Sequence, residues 1–431
     1  MTEHEQECCT RCGAALRRRG GLRSGAWCDP CHRTGPDPRR DRAQVAQVAT
    51  RLGIPAILLG FGTPGTTVVD AGGAGRKLVS WVERRDFVQH IAGLALGITG
   101  MTALDIDRLT ALLPQADPTG TRHIGLGDVE VIEQTTATFV RQDYATGAGP
   151  IRDLAIAQLR SILPLLNAQV AAEVRPRLYL ATARLAMQAG WMSFECNQHD
   201  DARRLWTIGL GVARAADHPQ ASDLTVFLLS DMALQAVHLG LPKEALSLIH
   251  LGHAATTGVH PVSPSTTCML VNAQALAHAA QGERPACDRA LGLATEHFNS
   301  IDPATSPAWG HLDETRLASL QGDALYELAL PSRDPRAAGQ AVPLLHQAVD
   351  HFGPDYARLQ ASSLAKLTGV LALSGDLDTA VTVGHQAIDA VTAVSSPRAH
   401  DRLRVLNTVL EPLHTSPGVA ELRDRLTATA V

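Results

Sequence analysis

From Leu78 nearly to the C-terminus, apolar residues recur every three or four positions, the spacing that lines one face of an α-helix. Breaks rich in Gly, Pro and Asp fall near 117–125, 147–150, 217–219, 258–264, 301–307, 331–335 and 395–397. Between them the chain runs in lengths suited to helix pairs, roughly 15 to 20 residues or multiples of that. No stretch sustains apolar–polar alternation, so the pattern predicts helices and no sheet.

Small residues repeat at fixed offsets. Gly240 stands five positions before Ala245, with Ile249 and Gly252 following. Gly282 stands likewise before Cys287, Leu291 and Ala294, and Gly375 before Ala380, Gly384 and Ala387. Asn197 holds the turn before Ala202, Trp206 and Gly209, and a diverged unit reads Ala341, Leu345 and Ala348. Two antiparallel helices packed through small residues are the tetratricopeptide unit. The anchors lie roughly 40 to 54 residues apart, longer than the standard unit, which implies long helices or expanded turns. The fold expected over 173–431 is an all-α, tetratricopeptide-like solenoid; a generic α-solenoid is the alternative.

Composition agrees. Apolar residues make up 45% of the chain but aromatics only 4%, which favours helices packed through Ala and Leu over strands. The net charge of −5 gives no global attraction to nucleic acid or an anionic membrane. Arg84-Arg85-Asp86-Phe87-Val88 and the apolar run after it mimic an export signal, but the run is too short to span a bilayer. A buried amphipathic helix is expected there, within a helical region covering 78–172.

The first 38 residues differ in kind. Cys9-Thr10-Arg11-Cys12 and Cys28-Asp29-Pro30-Cys31 are two C-x2-C knuckles, the spacing of a zinc ribbon. Four thiolates close a tetrahedral shell, so a structural Zn2+ is expected on Cys9, Cys12, Cys28 and Cys31. Cys8 and His32 are adjacent spares. The cysteine pattern lacks a secreted disulfide framework and points to a reducing, cytoplasmic compartment. Arg17, Arg18, Arg19 and Arg23 lie between the knuckles, either as a phosphate-contacting patch or as a solvated basic hairpin. Residues 39–77 hold a short helix and then a loop rich in Gly and Thr.

Catalytic patterns are absent from the sequence. Gly72-Gly73-Ala74-Gly75-Arg76-Lys77 lacks the Gly-Lys-Ser/Thr ending of a phosphate loop, and neither H-E-x-x-H nor G-x-S-x-G occurs. His250 and His253 share a helix end without a third ligand. The expected protein is not an enzyme. Repeat register instead places Arg184, Met187, Trp191, Phe194, Phe227, His238 and Asn272 on the concave face, where they would bind a peptide, a small molecule or a protein.

Three segments, 189–194, 201–206 and 234–246, closely resemble the repeat region of actinobacterial regulators that join an N-terminal helix-turn-helix to a tetratricopeptide sensor. Arg84-Arg85-Asp86-Phe87 is similar to the link between their two parts, and the likeness runs from about Ala43 to the C-terminus. The resemblance implies a regulator of transcription. The sequence departs from that family where bases would be read. Residues 45–55 look like the last helix of the DNA-binding domain, yet only about a dozen residues separate Cys31 from them. The segment 39–77 is therefore read as a remnant without a recognition helix, and regulation as indirect. The expected function is a receptor whose solenoid senses a ligand. A protein scaffold and a direct DNA-binding factor are the alternatives; at most weak, non-specific nucleic-acid binding is expected, no membrane association, and a homodimer is left open.

Overall fold

The helix starts are written into the chain. Ser263-Pro264, Asp334-Pro335 and Ser396-Pro397 each put a side-chain acceptor at the N-cap and proline at the first helical position. There the missing N–H costs nothing, and the cap oxygen accepts a backbone N–H of the first turn. Asp313 and Asp376 cap two further helices, accepting from Arg316 N and Thr379 N.

The computed structural model describes residues 124–429 apart from 168–169, 258–259, 305, 308 and 310–311. Those residues form fourteen α-helices and no strand; a lone bridge joins Ile124 and Val170. Helices α1 (Leu126–Thr146) and α2 (Arg152–Ile162) pack on α3. Five helix pairs follow: α3 (Arg175–Glu195) with α4 (His199–Ala215), and α5 (Ala221–His238) with α6 (Pro242–Ala255). Next come α7 (Pro264–Ala279) with α8 (Arg284–Asn299), then α9 (Glu314–Ala329) with α10 (Pro335–His351). The fifth pair is α11 (Ala357–Ser374) with α12 (Leu377–Thr392), and α13 (Pro397–Leu410) and α14 (Pro417–Thr429) close the series. The architecture is a helical solenoid of adjacent pairs. No helix among the described residues is long and apolar enough to cross a membrane.

Each pair turns on one residue with positive φ: Asn197, Gly240, Gly282, Arg333 and Gly375. Five positions later stands a small residue that is fully enclosed: Ala202, Ala245, Cys287, Ala338 and Ala380. The fourth unit corrects the sequence reading, which anchored it on Ala341. Its turn is made by Arg333 at φ 53°, so no glycine marks the register, and the reading fell three residues late, almost one helical turn.

Helices touch where side chains are smallest. A Cβ on Gly190 would sit 2.5 Å from the ring of Trp206, and one on Gly252 would sit 2.6 Å from Leu270 of the next unit. Trp206 is fully buried, and its Nε1 donates to Met187 O at 3.1 Å. Truncating such a side chain to Ala removes about 3–5 kcal/mol.

The last elements return to the first. The segment between α12 and α13 meets the end of α1, where Ser395 N donates to Thr146 O at 2.8 Å and Gly149 N to Ser395 O at 3.3 Å. Asn197, in the α3–α4 turn, donates to Asp401 of α13 at 2.6 Å. Beneath these contacts lies a buried charge cluster joining α1, α3, α11 and α13. Arg358 donates to Asp143 at 3.0 Å and to Glu195 at 2.8 Å, while Ser396 and Arg398 also donate to Glu195.

Candidate functional site

Closing the array leaves space along its inner face. One cavity of about 340 Å³ opens toward α1, and another of about 160 Å³ toward α13. Trp191, Leu234, Met269, Arg316 and Leu359 line both. They come one each from the first helices α3, α5, α7, α9 and α11. The repeat stacking thus converges five equivalent helix faces on one chamber, the concave placement typical of ligand sites between helices.

The chamber collects the chain's scarce aromatics. Tyr144, Trp191, Phe227, Trp309, Tyr326, Phe352 and Tyr356 line it, seven of sixteen in the whole protein. An unselective surface would hold far fewer at 4% overall.

Its polar groups fall into two sets. Around the smaller cavity, Lys366 pairs with Asp323 and Arg402 bonds Ser362. Burial and the neighbouring Arg402 push the Lys366 ammonium down to about 7, and burial raises Glu327. Around the larger cavity, Asp231 sits in an otherwise apolar stretch of α5, and burial lifts its carboxyl well above the ordinary range. Arg184 stacks on Trp309, 4.5 Å from guanidinium carbon to ring centre.

The residues proposed from repeat register are distributed unevenly. Arg184, Met187, Trp191 and Phe227 line the larger cavity; Trp191, His238 and Asn272 line the smaller. Phe194 does not reach the chamber. It is fully buried, wedged edge-on between Trp191, Trp206 and His238, with the Arg398 guanidinium 4.6 Å from its ring centre. Three residues along α3 from Trp191, its side chain turns into the packing between α3, α4 and α13. Asn272 is held by its own helix, its Nδ2 donating to Cys268 O at 2.9 Å.

Sequence reasoning missed Tyr144, Asp231, Trp309, Arg316, Lys366 and Arg402. Asp231 and Lys366 were legible as charges within apolar helical runs. Trp309 precedes α9 outside any helical period, and Tyr144 reaches the chamber only because α1 is brought against α11.

Cys9, Cys12, Cys28 and Cys31, and Arg17, Arg18, Arg19 and Arg23, lie outside the described residues. Among the described residues no group of three His, Cys, Asp or Glu side chains could hold a metal, and His253 pairs with Gln274 at 2.9 Å. Burial raises the thiols of Cys196 to about 11 and of Cys268 and Cys287 to about 12, which leaves them unreactive near neutrality. No family model, curated protein or solved structure matches this chain.

Proposed function

We propose that the solenoid is a tetratricopeptide-like regulatory receptor that binds a small molecule in the chamber and passes its occupancy to transcription indirectly. The observation that supports this reading is the convergence of Trp191, Leu234, Met269, Arg316 and Leu359 on one concave, aromatic-rich space. A scaffold needs an open groove. Here the inner face is covered by contacts of α1 and α13 with α3 and α11, which suits a compact ligand better than a folded partner or long peptide. A ligand touching five units would favour the closed arrangement over any looser one by its differential affinity for the two. The link to transcription rests on the family resemblance, and a structural zinc on the four N-terminal cysteines is part of the same proposal.

A thermal-shift screen against small metabolites, with short peptides alongside, tests the reading. A ligand at a hundred times its Kd stabilises the fold by about 2.7 kcal/mol. Trp191→Ala should remove the shift. Absence of any shift, with stable protein partners in a pull-down, would instead establish the scaffold.

A further inference from the structure

Two buried donors in the larger cavity have nothing to donate to. Arg184 Nε and Trp309 Nε1 are both shielded from solvent and both without a hydrogen-bond partner. Their side chains are stacked, so the two N–H groups belong to one locus. Buried donors are rarely left unmet, and each such group calls for an acceptor. Arg316, which lines the same cavity, has no carboxylate within ion-pair distance among the described residues.

The acids nearby do not accept from these N–H groups; Glu133, whose charge favours the Arg184 cation, is paired with Arg177 at 2.7 Å. Asp143 is committed to Arg358. Asp313 accepts the backbone N–H of Arg316 at 2.7 Å as the cap of α9. Burial raises the Asp231 carboxyl well above the ordinary range, against the pull of Arg316 and Arg398, and it forms no ion pair among the described residues. The Arg184 and Trp309 N–H groups are thus left without an acceptor beside an aromatic wall. Burial also works against the charge of Arg184, a strain that an incoming anion would relieve.

We infer that the chamber is built for a small aromatic acid. Its anionic group, a carboxylate, sulfonate or phosphate, accepts from Arg184, Trp309 and Arg316. Its rings stack among Trp191, Phe227 and Tyr356. This deepens the receptor reading above and rests on it.

Two dyes with one ring skeleton test the charge requirement. Anilinonaphthalene sulfonate carries an anion; N-phenylnaphthylamine lacks it. Fluorescence titration of the full chain should show the sulfonate binding at least about tenfold more tightly, because a charge-assisted hydrogen bond contributes that much. Arg184→Met and Arg316→Met should each weaken the sulfonate about tenfold and leave the neutral dye within about twofold. Trp309→Phe keeps the ring and removes only the N–H; it should weaken the sulfonate several-fold. A single cooperative melt for each variant confirms that it folds. Equal affinity for the two dyes, or sulfonate binding indifferent to all three substitutions, overturns the anion inference while leaving the chamber a receptor. Failure of both dyes to bind overturns the receptor reading itself.

Discussion

Arg358 and Glu195 stand 163 positions apart in sequence, and their side chains meet at 2.8 Å. Both are buried, and the pair is the centre of the cluster that holds the end of the solenoid to its beginning. Burial alone would raise the Glu195 carboxyl; Arg358 and Arg398 outweigh it and hold the group below the ordinary range. Asp143, which meets only one guanidinium and has an oxygen without a partner, is instead lifted by burial to about 6.

The two carboxylates should respond differently to neutralisation. Glu195→Gln removes the charge that Arg358 and Arg398 share, leaving Arg398 without its carboxylate and Arg358 with Asp143 alone, and should cost about 3–5 kcal/mol. Asp143→Asn removes a carboxylate that meets one guanidinium and that burial already disfavours as an anion, so it should cost about 1–2 kcal/mol. Urea unfolding at neutral pH measures both. Equal losses would show that the two acids share the closure evenly, contrary to their contacts.

How much of this was readable beforehand depends on sequence separation. The helices were legible because caps, prolines and glycines are local: Ser263-Pro264 announces α7 with nothing else known. The repeat register was legible wherever glycine made the turn and slipped where Arg333 did. The concave face followed from the register, and Arg184, Trp191 and His238 line the cavities there. Its limit was angular, since Phe194 lies three residues from Trp191 yet points into the core. The closure was not legible at all. Nothing local to Asp143 or Arg358 names a partner 215 residues away.

Two glycines separate backbone freedom from close packing. At Gly147, φ is 92° and a Cβ would lie 2.4 Å from Ser395 O, inside the closure. At Gly240, φ is 72° but nothing lies within 4 Å. Gly240→Ala should therefore cost about 1 kcal/mol, the left-handed penalty alone. Gly147→Ala adds a collision with backbone and should cost about 2–5 kcal/mol. Chemical denaturation of the two variants makes the comparison, and a smaller loss at Gly147 would contradict the packing described.

Acid should weaken the fold through His238. Burial, with Arg398 and Arg402 nearby, pushes this imidazole down to about 3. The unfolded chain then binds the proton first, so stability is lost as pH falls from about 6.5 toward 3. The contribution reaches at most about 2 kcal/mol at pH 5. His238→Phe should reduce the stability difference between about pH 7 and 5 by that order. An unchanged slope would assign the acid sensitivity to the carboxylates.

The proposed ribbon gives a test independent of the solenoid. Purified protein should carry about one zinc per chain, and Cys12→Ser or Cys28→Ser should lose it, because the ion supplies most of the folding free energy of so small a unit. The helical circular dichroism signal should stay near its original strength, since the described helices draw on none of these cysteines. Full zinc content after both substitutions would refute the ligand set.

The final prediction concerns nucleic acid, where resemblance and residues diverge. A helix-turn-helix regulator reads bases through a helix in the major groove, and only about a dozen residues separate Cys31 from the segment that resembles the last helix of such a domain. What remains for DNA is Arg17, Arg18, Arg19 and Arg23, which can meet phosphates but not specify sequence. Phosphate contacts gain their free energy from counterion release, so three fewer arginines should flatten the salt dependence as well as weaken binding. Anisotropy titrations with promoter and random duplexes should therefore give equal, weak affinities that fade between low and physiological salt. Replacing Arg17, Arg18 and Arg19 with Ala should abolish what is left. Tight, sequence-selective binding at physiological salt would mean that the ribbon or the segment 39–61 reads bases. Regulation would then be direct, with the chamber acting on a DNA-binding surface of the same chain.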